Sequence, residues 1–302
     1  MSPVRPKSCR RRCPIPSGTS RVNLFVFGLG YSAGVLARRL AALGWQVAGT
    51  GRGGTIAFDD RAAVGAALGA ATHVLSSVPP GRDGCDPVLD HYGEALRAAR
   101  AGWIGYLSST GVYGDCGGAW VDESAAIGLG RRSARSEADR GWQALDSRVR
   151  VFRLPGIYGP GRSAFDRLRD GTARRLIAPG QVFSRVHVDD IAGGVMAGMA
   201  GPPGVYNLAD DEPCDQNAVI EAAARLMGIE PPPLVPLDEA GLSPMARAFY
   251  TENRRIANGK ARRILGWRPA FPTYREGLRD LSATTSPISA SPAPPRLSPV
   301  QR

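Results

Sequence analysis

The chain has 302 residues, 43% of them hydrophobic and 22% charged, enough for one large α/β domain or two small ones and ordinary for a soluble globular protein. No apolar run is long enough to span a bilayer, and five scattered cysteines do not make a disulfide framework. The formal charge of +11 is concentrated at the ends, since residues 22–282 carry only +3.

Residues 1–20 are rich in Arg, Ser and Pro and contain no acid; residues 283–302 are rich in Ser, Pro and Ala and also lack acids. Neither has a periodic apolar face, so both read as disordered tails. No apolar core follows the first arginines, as a secretory signal requires, and four prolines oppose an amphipathic transit helix. A cytoplasmic location is expected. The basic tail implies at most weak attraction to acidic surfaces, so neither a specific nucleic-acid partner nor a membrane is expected. Cys9 and Cys13 have no companion ligands for a metal.

The central region opens on a strand, a glycine turn, a helix and a second strand. Val22 to Phe27 is an apolar run of the kind buried on both faces of a parallel sheet. Gly28, Gly30 and Ala33 follow at the spacing G-x-G-x-x-A. Gly28 permits the turn, Gly30 lets a pyrophosphate approach the backbone, and Ala33 lets the helix pack close to the strand. The helix carries Leu36, Leu40 and Leu43 on one face with Arg38 and Arg39 away from it, and Gln46 to Thr50 returns as a strand. A glycine triplet so placed presents helix N-terminal amides to a phosphate linker.

Further along, a short strand is expected over Thr55 to Phe58, a helix over Arg61 to Gly69, a strand over Thr72 to Ser76 and a helix over Pro87 to Arg100. Trp103 to Leu107 reads as a strand, Ser133 to Asp146 as a helix and Val149 to Leu154 as a strand. This alternation predicts a Rossmann-type, doubly wound parallel sheet with ligands at the carboxyl ends of its strands. After Pro155 the pattern loosens. A helix over Asp189 to Met199 and a strand over Val205 to Leu208 are followed by helices and turns over residues 210–281. The expected organisation is a dinucleotide-binding core over 22–155 and a smaller substrate lobe over 156–281, within which 186–208 completes the sheet.

Four motifs, in order, carry a family resemblance. Leu107-Ser108-Ser109-Thr110-Gly111-Val112-Tyr113-Gly114 is similar to S-S-x-x-V-Y-G, and the run from Arg153 to Arg162 is similar to R-x-x-x-x-Y-G-P-G. Val186-His187-Val188-Asp189-Asp190-Ile191 matches an H-V-D-D segment, and Leu265-Gly266-Trp267-Arg268-Pro269 matches L-G-W-x-P. Together they resemble the extended short-chain dehydrogenases/reductases, and closest an atypical bacterial branch of the epimerase/dehydratase-like proteins. The resemblance implies a nicotinamide dinucleotide held by Gly28, Gly30, Ser32 and Ala33. It places Asp59 near the adenine, Ser77, Val78 and Pro79 along the adenosine ribose, and Pro155, Gly156 and Ile157 by the nicotinamide. Ser109 matches the residue that hydrogen-bonds the reacting oxygen.

An NAD-selective site places an acid near the end of the second strand. Here that strand ends Gly49-Thr50-Gly51-Arg52. With no carboxylate to repel a 2′-phosphate and Arg52 available to pair with it, NADP is the expected cofactor and NAD the second choice.

The family's Tyr-x-x-x-Lys is missing. The only lysines are Lys7 and Lys260, and no tyrosine lies between Tyr113 and Tyr158. Alignment puts Arg131 at the Tyr position and Arg135 at the Lys position. Arg135 retains the charge for a ribose contact, but a guanidinium cannot serve as the acid. Tyr113 and Tyr158, in strand-end loops, are the replacement candidates; His187 is expected to be structural, and Asp189 and Asp190 to cap the next helix. Arg162 and Arg185 lie in segments that line the family's substrate lobe and suit an anionic substrate, phosphorylated or nucleotide-linked. The expected function is an NAD(P)-dependent oxidoreductase or epimerase/dehydratase acting on a small carbonyl or hydroxyl compound as a monomer or homodimer. The alternative is a non-catalytic NAD(P)-binding sensor or partner-binding protein.

Overall fold

The structure, a computed structural model, describes residues 23–81, 84–128, 130 and 133–284. Residues 1–20 and 285–302 of the expected tails, with Cys9, Cys13, Val22 and Arg131, lie outside the described residues. Ala283 and Thr284, assigned to the C-terminal tail from composition, instead finish the last helix.

The first half alternates strand and helix. In order come β1 (Asn23–Phe27), α1 (Tyr31–Ala42), β2 (Gln46–Gly49), α2 (Arg61–Ala70), β3 (His73–Ser76), α3 (Pro87–Ala98) and β4 (Trp103–Ser109). A 3-10 turn (Thr110–Tyr113) leads to β5 (Trp120–Val121), α4 (Ser133–Leu145) and β6 (Val149–Leu154). The second half is more broken: β7 (Gly156–Tyr158), α5 (Ala164–Arg169), β8 (Arg175–Ile177), β9 (Arg185–His187), α6 (Val188–Ala200) and β10 (Gly204–Asn207). It ends with α7 (Gln216–Met227), β11 (Leu234–Pro236), α8 (Pro244–Ala248), a 3-10 turn (Phe249–Thr251), β12 (Arg255–Ile256), α9 (Gly259–Ile264) and α10 (Tyr274–Thr284).

Six strands form one parallel sheet in the order β10-β6-β4-β3-β1-β2. This is the doubly wound, Rossmann-type sheet that the alternation predicts. Strand β1 shows why. Leu24 and Val26 point into the core under α1 and α6, while Phe25 and Phe27 point into the core under α2 and α3. Each is at most 1% exposed, and burying a side chain of this size contributes roughly 1.5–3 kcal/mol. The chain steps from β1 out to β2 and then crosses back over β1 to β3, so the order reverses there and a crevice opens between the carboxyl ends of β1 and β3. Smaller parallel pairs, β7 with β9, β5 with β12 and β8 with β11, extend the architecture beyond the sheet. A third core, of Ala164, Phe165, Val219, Ala223, Tyr274, Leu278 and Leu281, joins α5, α7 and α10 into a smaller lobe. No helix among the described residues is long and apolar enough to cross a membrane.

The strand expected over Thr55 to Phe58 is not formed. Ile56 makes a single bridge to Thr50, after which the chain turns into α2, capped by the Asp60 side chain accepting from the Ala63 amide at 3.0 Å.

Candidate functional site

One cleft runs along the carboxyl ends of the central strands and under the smaller lobe. Its volume, about 1370 Å³, exceeds the roughly 300–1,000 Å³ of a single small-molecule site, so it has room for two ligands side by side.

The glycine turn forms one end. Gly28 has φ +78°, and a Cβ there would press on Val78 Cγ2 at 2.9 Å, so only glycine fits. The amides of Gly28 and Leu29 are taken by the Thr50 hydroxyl (3.1 Å) and carbonyl (2.7 Å). Beyond them, no side chain caps α1 at Gly30 and its first turn has no acid. The amides at the start of α1 are therefore left for an anion. Around this turn the cleft is lined by Gly28, Gly30, Ser32, Arg52, Ser77, Val78 and Pro79. The Ser77 hydroxyl donates to the Gly28 carbonyl, tying the β3 end to the turn. Ala33 is 1% exposed and does not reach the cleft; it packs in the core beneath α1. Asp59 is exposed in the turn before α2 and is not among the lining residues, because the chain turns back after Ile56.

The centre of the cleft is lined by Ser109, Thr110, Arg135, Pro155, Gly156 and Ile157. Ser109 ends β4, and its Oγ accepts the Gly111 amide at 3.1 Å, which leaves its own proton for another partner. Arg135 enters from the first turn of α4 and donates to the Tyr106 hydroxyl at 3.2 Å. Burial pushes the Tyr106 phenol up to about 12, with Arg135 pulling the other way.

The two candidate tyrosines do not present their hydroxyls to the cleft. Tyr113 is 1% exposed and lies off the cleft. Its hydroxyl donates to Asn207 Oδ1 (2.8 Å) and accepts from Arg153 Nη1 (3.0 Å). The 3-10 turn after β4 carries it inward, behind Ser109. The Tyr158 ring lines the cleft, but its hydroxyl is buried against α10, in space that exists because residue 277 is glycine. Burial, then Asp210, raises its pKa far above the phenol range, so it keeps its proton. Both residues belong to the scaffold.

Behind the cleft lies a polar network that the motifs do not announce. Asp139, fully buried, accepts from Arg153 Nη2 (2.8 Å) and Nε (3.1 Å), Ser108 Oγ (2.6 Å) and Gln143 Nε2 (2.7 Å). Through Arg153 it continues to Tyr113 and Asn207, and the Asn207 amide donates to Glu123 at 2.7 Å. His187 is buried and caps α6, its Nδ1 accepting the Asp189 amide at 3.3 Å. The two aspartates therefore do not cap that helix. Asp189 pairs with Arg39 at 2.7 Å, and Asp190 accepts the Ala270 and Phe271 amides at 2.6 and 3.1 Å.

The smaller lobe supplies the far wall. Arg162 lines it, with its guanidinium over the Tyr31 ring at 5.8 Å. Arg185 also lines it but is 6% exposed, with its guanidinium committed to the Phe183 and Cys214 carbonyls, the Cys214 sulfur and Gln216. Sequence reasoning missed Tyr31, Thr110, Arg167, Arg174, Tyr250 and Glu252, all of which line the cleft. Tyr31 and Thr110 lie at variable positions inside recognised motifs; the others carry no local signal. Among the described residues the cleft lining holds seven arginines against three carboxylates, so the site favours anions. No group of three His, Cys, Asp or Glu is placed to hold a metal among the described residues.

No family model matches the chain. It is 33% identical over 160 residues to a 3-diazoavenalumate denitrifying reductase of a Streptomyces species, a match covering 48% of this chain. The chain spans about half the length of that reductase, 51%. A human epimerase-family protein, SDR39U1, solved with NADPH, superposes with a TM-score of 0.70 at 18% identity, covering 87% of this chain and 100% of that one. A conserved protein of unknown function from Silicibacter pomeroyi superposes with a TM-score of 0.78 at 46% identity, covering 87% of this chain and 98% of that one. The chain belongs to the family of that Silicibacter protein, and its fold is the one the motifs implied, that of the extended short-chain dehydrogenases/reductases of epimerase/dehydratase type.

Proposed function

We propose that the protein is an NADPH-dependent oxidoreductase that reduces a small carbonyl-type substrate, acting as a monomer or homodimer. The observation that carries this reading is the juxtaposition, in one cleft, of uncapped α1 amides beside a glycine turn with Ser109 at the end of β4. The reductase and the NADPH-bound protein it resembles support the same direction of chemistry.

The residues present fit a dinucleotide. The amides opening α1 and Ser32 would take its pyrophosphate, with Ser77, Val78 and Pro79 along the adenosine ribose. Arg52, exposed at the rim where no acid stands, would pair with a 2′-phosphate. Pro155, Gly156 and Ile157 would wall the nicotinamide, and Arg135 would reach its ribose. Bound there, NADPH supplies a hydride. The protein's part is to exclude water from the cleft and to hold the substrate oxygen. With its oxygen already accepting from Gly111, the Ser109 hydroxyl donates its proton as a hydrogen bond to that oxygen as charge develops. Arg135, always protonated, contributes charge and not a proton, so the proton that completes the alcohol comes from solvent as the product leaves the cleft.

One observation favours a second reading, a dinucleotide-binding sensor without turnover: neither Tyr113 nor Tyr158 offers a phenol to the cleft. Two measurements separate the readings. NADPH is titrated against the full chain, and its oxidation is followed at 340 nm with carbonyl substrates. The oxidoreductase reading predicts turnover that Ser109→Ala reduces about 100-fold, the scale of losing one oxyanion donor, with NADPH affinity retained. NADPH binding without oxidation across the panel leaves the sensor; no NADPH binding removes both.

A further inference from the structure

We propose that the smaller-lobe wall of the cleft is a receptor for one compact oxyanion on the substrate, a carboxylate or a phosphate monoester, with Arg167 as its anchor and the Tyr250 hydroxyl beside it. This names the substrate class of the cleft and rests on the reading above.

Arg167 lies on α5 and is exposed to the cleft. Its guanidinium makes no hydrogen bond or ion pair with any described residue. The carboxylate nearest in sequence is already committed: Asp166 accepts from Ser163 N and Oγ, both at 2.7 Å, and pairs with Arg169 at 3.6 Å. Desolvation and the neighbouring Arg185 both lower the pKa of Arg167, so the two cations feel each other. Arg185 offers no relief, because its hydrogen bonds go to the neutral groups of Phe183, Cys214 and Gln216. The carboxyl that senses Arg185 is Asp210, 1% exposed, which burial raises to about 8 and whose oxygens make no hydrogen bond to it. Neither guanidinium makes an ion pair with a carboxylate among the described residues and both line the cleft, an arrangement that an incoming anion relieves.

Tyr250 lines the same cleft. Its ring packs edge-on against Phe183 at 5.3 Å, and its hydroxyl has no partner among the described residues. Arg167 and Tyr250 both line the cleft, and the positive charge of Arg167 acts on this phenol against its desolvation. Arg162 and Arg174 line the same wall, again without a carboxylate partner among the described residues. A guanidinium fork with an adjacent hydroxyl donor matches the planar edge of a carboxylate or two oxygens of a phosphate.

The test uses the full chain saturated with NADPH and titrates benzoate and phenyl phosphate calorimetrically. Saturable binding of one or both is expected, and whichever binds more tightly names the group. Arg167→Gln should weaken that binding about 10- to 100-fold, the loss of one charge-assisted contact, and Tyr250→Phe by about 2- to 10-fold. Arg167→Lys, which keeps the charge without the fork, should fall between. Failure of both probes to saturate by about 10 mM overturns the proposal, as does Arg167→Gln binding like the wild type. NADPH affinity, measured on the same variants, should not move. If NADPH fails to bind the wild type, the dinucleotide reading falls by itself. The probes are then titrated without it, where loss on Arg167→Gln upholds the receptor and no loss overturns it.

Discussion

Replacing Asp139 by alanine tests whether the buried network behind the cleft holds the site in place. The carboxylate is fully buried and accepts four hydrogen bonds, two from Arg153, one from Ser108 and one from Gln143. In its absence the Arg153 guanidinium, 3% exposed, keeps only Tyr113 as a side-chain partner. Breaking a buried ion pair from one side costs about 3–5 kcal/mol, because the remaining charge is left uncompensated. An orphaned Ser108 hydroxyl adds to this, though not additively. About 4 kcal/mol is expected, a large share of the 5–15 kcal/mol typical of a folded domain. At roughly 2–4 °C per kcal/mol for a chain of this size, the melting temperature should fall by about 8–16 °C. Urea unfolding followed by circular dichroism measures it. The double variant Asp139→Leu with Arg153→Met should lose less than Asp139→Ala alone, since removing both charges removes the desolvation problem. A loss under about 1 kcal/mol for the single variant, or a double variant equal to the sum of its parts, would refute the reasoning.

Two further predictions concern charge. Arg52→Glu should weaken NADPH binding about tenfold or more, by loss of a charge-assisted contact and gain of a repulsion, and leave NADH within about twofold; equal losses in fluorescence titrations would sink the 2′-phosphate assignment. Asp210 titrates near 8 in the folded chain because of burial, against 3.8 for its ordinary value. A raised carboxyl pKa means that the folded state holds a proton that the unfolded state has lost. Stability should therefore fall between pH 4 and pH 8, by up to about 1.4 kcal/mol per pH unit from this group. Asp210→Asn should flatten that slope in melts recorded from pH 5 to 8.5, and an unchanged slope would show that the carboxyl is not kept protonated.

Much of the sheet was legible because its four central strands are buried on both faces and the helices between them carry an apolar stripe at helical spacing. Val149–Leu154 has the limits its sequence suggests, despite two arginines, since Arg150 and Arg153 are both buried and hydrogen-bonded within the strand's surroundings. The smaller lobe was less legible. Strands such as Trp120–Val121 and Arg255–Ile256 are too short to show a period, and their pairing is long-range. In the site, position along the chain gave the neighbourhood of a residue but not the direction of its side chain. Tyr113 and Tyr158 both follow strands that end at the cleft, yet one turns behind β4 and the other into the α10 core. Arg167 and Tyr250 come from segments with no motif and reach the same cleft from α5 and from the 3-10 turn after α8.

The motifs that carried the resemblance divide according to what they do. The arginine of R-x-x-x-x-Y-G-P-G, Arg153, pairs with Asp139 and Tyr113 to lock β6 against α4 and the turn after β4. The H-V-D-D segment holds the chain near L-G-W-x-P, through Asp190 and the amides of Ala270 and Phe271, while Trp267 is buried in the core under α1. These residues bear on strand ends and lobe attachment, so a match to them reports the skeleton. Of the same motifs, Ser109, Thr110 and Pro155–Ile157 line the cleft centre. A chain can therefore keep nearly every diagnostic residue of the fold without the tyrosine–lysine pair. What distinguishes this cleft from one built around a tyrosine–lysine pair on α4 lies largely in residues that the motifs do not contain, among them Arg135 and Arg167, which carry charge, and Tyr250, which brings a phenol from a different part of the chain.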